Sequence, residues 1–425
     1  MKRNIATTFL LASSLFGYDV GDYLIISGDE RAGYLIYDYG NPDGDPNISK
    51  GHKDSKGFYV IPKLSIETKP YHGFKAKITG AGATDFGLND KEDENRNFVF
   101  KQGGDSYAIL QEAYIEYDSK EHNVLVGRNE IVTPMIDKDD WYMLADSFEV
   151  GVYRYKGLKS STIWAGYFAK MAGVWDSGAD GTKFETMADA SFVGAEDKAN
   201  ASDGGVYFGA YEFKNDNHSL QLWEYYAPDL YNTLFFQYDF NNRYNSLAYV
   251  AGVQIINFKE VGNLADNDQN GYDIDYTLYQ AHFDGEFNNG LGFATGIAKY
   301  SDGDGQNQTL GAWGGYPYLA NGMIFHFFEA GNLRNAASYK IQGSYDFTKV
   351  GIKSLVFKAR YTYYDLDSKY SFSSAGLPQE YMQMIGLQLK YNFLEGGYFT
   401  GTYEKHDTEH EPKTYALRLI GGYKF

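Results

Sequence analysis

Lys358, Arg360, Lys390 and Arg418 each stand on one face of a segment whose other face is apolar or aromatic. Leu355, Phe357, Ala359, Tyr361 and Tyr363 alternate with Val356, Lys358, Arg360, Thr362 and Tyr364. In the same way Ile385, Leu387, Leu389 and Tyr391 alternate with Gly386, Gln388 and Lys390. A row of fixed charge holds and steers ions; it makes and breaks no bond. A second pattern, Asp266-x-Asp268-x-Asn270-Gly271, opens like a calcium loop, in which oxygens recur at alternate positions and Gly makes the turn. Its twelfth position is Thr277, where a bidentate Glu belongs, so the expectation is no resident cofactor and at most calcium held loosely by acidic loops. Catalytic spacing is missing. The eight His are scattered, no His-Glu-x-x-His or Gly-x-Ser-x-Gly occurs, and Cys 0 excludes thiol nucleophiles, disulfides and thiolate metal sites. No enzyme is expected. A formal net charge of −18 also argues against nucleic acid, whose binding rests on Lys and Arg.

The elements that must position these charges are strands. In Tyr415–Phe425, Tyr415, Leu417, Leu419, Gly421, Tyr423 and Phe425 share one face, and Arg418 and Lys424 lie on the other. A period of two with one apolar face is a strand. Its final Phe resembles the signal by which the barrel assembly machinery recognises outer-membrane barrels. At the other end, Lys2 and Arg3 precede an apolar run of about a dozen residues, too short to span a bilayer and suited to a secretory signal. Residues 1–17 are therefore expected to be a signal peptide and 18–425 a single domain. Aromatic residues make up 17% of the chain, with Tyr 40, which suits the two aromatic girdles of a membrane barrel. The mean hydropathy of −0.46 does not oppose this, since only alternate strand residues meet lipid.

Read for alternation, the chain gives about eighteen strands joined by alternately short and long connections. Short turns fall near residues 69–73, 118–121, 157–159, 215–217, 241–243, 288–290, 349–351 and 395–397. Long loops fall near 85–105, 130–146, 171–203, 259–273, 301–335 and 365–379. The fold class is thus an all-β transmembrane antiparallel barrel with short periplasmic turns and long external loops. A Lys or Arg facing lipid near the midplane costs roughly 2–4 kcal/mol, so Lys358, Arg360, Lys390 and Arg418 should point into the lumen. The 301–335 loop holds Trp313, Tyr316, Tyr318, Phe325, Phe327 and Phe328, too apolar for a free tip, and is expected to fold into the pore mouth.

The segment Leu125-Val126-Gly127-Arg128-Asn129-Glu130-Ile131-Val132-Thr133-Pro134, with Asp139-Asp140 and Phe148-Glu149-Val150-Gly151 after it, resembles the OprD family of substrate-selective outer-membrane porins. Ser27 to Tyr34 looks like that family's first strand. The resemblance implies passive, partly selective diffusion of small polar or carboxylate-bearing solutes through a lumen narrowed by inward-folded loops. It further implies a basic ladder, assigned here to Arg128, Arg154, Lys358, Arg360, Lys390 and Arg418, facing an acidic patch of Asp137, Asp139 and Asp140. The expected surroundings are outer-membrane lipid and lipopolysaccharide, with a monomer and a homotrimer both open. Two other readings stand beside this one: a general, cation-preferring diffusion porin, and a barrel whose loops serve adhesion or surface recognition.

Overall fold

A computed structural model describes residues 18–41, 54–89, 106–140, 143–173, 183–191, 201, 204–266, 275–303, 313–324, 332–393 and 395–425. The expected signal peptide, Trp141 and three of the loop aromatics (Phe325, Phe327 and Phe328) lie outside the described residues. Eighteen strands form one closed antiparallel barrel. They are β1 (Leu24–Asp38), β2 (Ser55–Ile61 continued by Lys63–Thr68), β3 (Phe74–Ala83), β4 (Tyr107–Asp118), β5 (His122–Asn129) and β6 (Ser147–Leu158). There follow β7 (Ser161–Ala172), β8 (Val206–Lys214), β9 (His218–Ala227), β10 (Tyr231–Tyr244), β11 (Leu247–Glu260) and β12 (Asp275–Phe287). The last are β13 (Leu291–Tyr300), β14 (Ala337–Asp346), β15 (Leu355–Asp365), β16 (Tyr381–Asn392), β17 (Gly397–Thr408) and β18 (Thr414–Lys424). Each strand pairs with the next, and β18 returns to β1 from Asp29–Lys424 to Asp38–Tyr415. Every ladder bond is made inside the ring, as a bilayer without water requires.

Local sequence explains the interruptions. Pro62 has no N–H to donate and splits β2 in two. Tight turns on the periplasmic side use left-handed residues, such as Gly73 (φ 86°) and Asn245 (φ 52°). Two connections on the loop side are also short, at 228–230 and 409–413, and β1 runs from Leu24 to Asp38.

The outward face follows the alternation. Tyr339, Ile341, Phe357, Tyr361, Leu387 and Leu389 are exposed, as lipid-facing residues of an isolated barrel must be. The inward face is divided by height. Near the turns it is charged and polar, with Lys75, Glu116, Arg154, Asp239, His282, Lys358 and Lys390 on inward positions. Toward the loops it is apolar: Leu35, Tyr59, Phe148, Phe168, Trp223, Phe235 and Tyr276 are buried although they point inward. Ile131, Met135, Ile136, Met143, Trp313, Ala320 and Ile324 from the inward loops cover them, in two clusters. The outer half of the barrel therefore has a hydrophobic core on its inside.

Candidate functional site

The loop between β5 and β6 folds back into the lumen, held by Lys63 on Glu130, by Gln111 on the Ala145 carbonyl and by Ser147 on the Gln111 carbonyl. It meets the β13–β14 loop at Gly314 and Gly315. There the Asp137 N–H donates to the Trp313 carbonyl at 3.0 Å, and a Cβ on Gly315 would lie 2.2 Å from the Met135 carbonyl carbon. Only glycine fits that junction. From this loop Asp140 reaches the wall at β1, where its Oδ2 accepts from Arg31 Nη1 at 2.7 Å. Arg31 is fixed in turn by Asp29 at 2.9 Å and by the Met143 carbonyl at 3.3 Å, and Tyr398 donates to Asp29 at 3.0 Å.

The Arg31–Asp140 pair separates two cavities. One, of about 360 Å³, is lined by Glu130, Val132, Asp137, Lys138, Asp139, Asp140 and Ala145 with Arg31. The other, of about 290 Å³, is lined by Lys390, Arg418, Lys424 and Arg31 with Asp140, Gln388, Tyr398 and three threonine or isoleucine neighbours. Carboxylates outnumber cations in the first, and cations outnumber the single carboxylate in the second. Asp140 keeps about half of its side chain wet (55% exposed), so the pair orients charge more than it stabilises the fold.

The two loop carboxylates titrate apart. Burial raises the Asp137 carboxyl above its ordinary value, against the N–H of Lys138 and the charge of Lys138. Burial opposes ionisation of Asp140 too, but Arg31, Arg418 and Lys138 together outweigh it and hold that carboxyl below its ordinary value. As pH falls from neutral, Asp137 should lose its charge while Asp140 keeps it. Cation preference measured by reversal potential should drop in that window, and Asp137→Asn should remove the step. A step that persists in Asp137→Asn would assign it elsewhere.

The structure sorts the expected site residues. Lys390, Arg418, Asp137, Asp139 and Asp140 come together around the two cavities. Lys358 faces the lumen opposite Gln388, next along the same wall. Arg360 also faces inward, but its guanidinium is engaged by Gln342 and by the Asn321 and Gly322 carbonyls. Arg154 lies on a different wall, stacked over Trp164 at 4.0 Å, whose indole donates to Glu212 at 2.7 Å. Arg128 must be removed from the ladder. It alternates with exposed Val124 and Val126, so it points outward, paired with Glu149 at 2.9 Å and stacked on Phe184 at 4.0 Å. Arg31 was not among the expected residues. Its signal was the charged alternation Asp29-x-Arg31, blurred by Glu30 on the other face. Asp266 closes a short helix, Asn263–Asp266, and Asp268 and Asn270 lie outside the described residues. Among the described residues no group of three His, Cys, Asp or Glu is placed to hold a metal.

A model of the OprD outer-membrane porins matches residues 119–399. The chain belongs to the OprD family. Solved structures with the same fold include OccK9 (OpdG) of Pseudomonas aeruginosa, with a TM-score of 0.78 at 14% identity over 95% of this chain and 98% of that one. OccAB4 of Acinetobacter baumannii superposes with a TM-score of 0.73 at 16% identity over 95% and 98%. OpdK of Pseudomonas aeruginosa, solved with vanillate, gives 0.71 at 14% over 94% and 98%. No curated protein sequence matches the chain. This OprD-family porin is accordingly an outer-membrane channel for passive diffusion of small solutes, and porins are channels rather than enzymes.

Proposed function

We propose that the porin favours small solutes bearing a carboxylate, and most of all those bearing an ammonium group as well. The observation that carries this reading is the pair of oppositely charged cavities sharing Arg31 and Asp140. A carboxylate gains from Lys390, Arg418 and Lys424, and an ammonium group a few ångströms away gains from Asp137, Asp139 and Glu130. Each site is wet, so each holds a charge weakly enough to release it, which conduction requires. Vanillate, seen with the fold neighbour OpdK, is a carboxylate without an ammonium group and makes a suitable comparison solute. Recognition of the Phe425 end by the assembly machinery and contact of the outward face with lipopolysaccharide belong to the same proposal.

The test is single-channel recording in a planar bilayer. A millimolar amino acid should reduce ion current at lower concentration than a monocarboxylate or an amine of equal size. The double variant Lys390→Gln/Arg418→Gln should lose the carboxylate's effect and keep the amine's. Equal indifference to all three solutes would make this a general diffusion porin.

A further inference from the structure

The stretch Leu319–Ile324, from the β13–β14 loop, runs along the inner wall from β12 to β17 as a strap tied to four strands. Its Leu319 N–H donates to Gln280 on β12 at 2.9 Å, and Ser338 on β14 donates to the Ala320 carbonyl at 3.0 Å. On β15, Arg360 Nη1 donates to the carbonyls of Asn321 (3.1 Å) and Gly322 (2.6 Å). Thr362 donates to the Asn321 carbonyl and Tyr364 to the Asn321 side chain, each at 3.0 Å. On β17 the buried Glu404 carboxylate accepts from the N–H groups of Met323 and Ile324, the second at 3.2 Å. Two lumen-facing glycines make the seat. A Cβ on Gly296 would stand 2.5 Å from the Leu319 carbonyl oxygen, and one on Gly386 would stand 2.9 Å from the Met323 side chain.

We propose that Arg360 and Glu404 are positioning residues that latch this strap against the pore wall, where it narrows the lumen. Arg360 then sets pore width and is not a rung that passing solutes touch. The remaining guanidinium edge confirms the use of the whole fork, since Nε and Nη2 both donate to Gln342 Oε1, at 3.0 and 2.9 Å. A planar fork can serve Gln342 and two strap carbonyls at once; a Lys ammonium on a flexible stem cannot hold that geometry. Glu404 brings both oxygens of a buried carboxyl to two backbone donors at the far end of the same strap. The inference is independent of which solute the two cavities take.

Arg360→Lys separates the two roles, because it keeps the positive charge and loses the fork. A latch predicts that Arg360→Lys raises single-channel conductance about twofold, a change of pore width and not of charge, with little shift of reversal potential. It also predicts entry of larger neutral polyethylene glycols than the parent admits. Gly296→Leu, on another strand, changes no charge and should admit the same larger polymers by pushing the strap off its seat. Heat-modifiable gel mobility identifies which variants are folded barrels, and Gly296→Leu carries the test if Arg360→Lys does not insert. Parental conductance and polymer cut-off in the folded variants would overturn the latch. A reversal potential that moves in Arg360→Gln alone, with the cut-off unchanged, would return Arg360 to the ladder.

Discussion

Arg31→Ala should open the constriction and turn the pore toward cations. The Arg31 side chain forms the partition between two cavities, so its removal joins them and conductance should rise. Charge changes as well as width. Asp140 loses its 2.7 Å partner and Asp29 its 2.9 Å partner, leaving two carboxylates between the cavities with Asp137 and Asp139 beside them. The ratio of cation to anion permeability should rise about tenfold, equivalent to ~1.4 kcal/mol. Asp140→Asn should move the ratio the other way, because Arg31 and Arg418 then face a neutral group. The two residues touch, so the double variant should fall short of the sum of the singles. Reversal potentials in a salt gradient give the answer. If Arg31→Ala leaves the reversal potential where it was, the Arg31–Asp140 pair is not the filter.

The second large effect is on stability. Leu387 is exposed on the outward face of β16, and its register partners are Ala359 and Tyr403. Leu387→Arg should cost about 2–4 kcal/mol in lipid vesicles, the price of a charge near the bilayer midplane. Gln388→Arg, one residue along, faces the lumen beside Lys390 and Arg418 and should fold with little loss while increasing anion preference. Urea unfolding in vesicles compares the two. Equal costs would mean that the two faces of β16 are not lipid and lumen.

How much of this was legible in the sequence depends on height in the barrel. Lys358, Lys390 and Arg418 alternate with exposed apolar residues, a pattern that is legible because near the turns one face meets lipid and the other meets water. Nearer the loops that contrast disappears. Leu125, Val150 and Val152 face inward yet are buried and apolar, because Met135 and Ile136 lie in the same core. On β5 the inward face mixes Asn123, Leu125, Gly127 and Asn129, so the Gly-Arg motif suggests the ladder for Arg128 although its period with Val124 and Val126 points outward. Arg154 lies beside Trp164, away from the two cavities, and a linear pattern gives a side and not a wall. The part played by Arg360 could not be read at all, since its partners Asn321 and Gly322 reach it only after the loop has folded back.

The ring is closed by β1 against β18, with Leu35 opposite Arg418 and Arg31 opposite Gly422. Arg31 and Arg418 thus sit on either side of the seam, and Asp140 reaches across to both, with Arg418 Nη2 at 3.5 Å from its carbonyl. Strands that are neighbours here are nearly the whole chain apart in sequence. During biogenesis an unzipped sheet would carry Arg31 on one free edge and Arg418 on the other. The arrangement of Arg31 and Arg418 about Asp140 therefore cannot exist before the event that seals the cylinder.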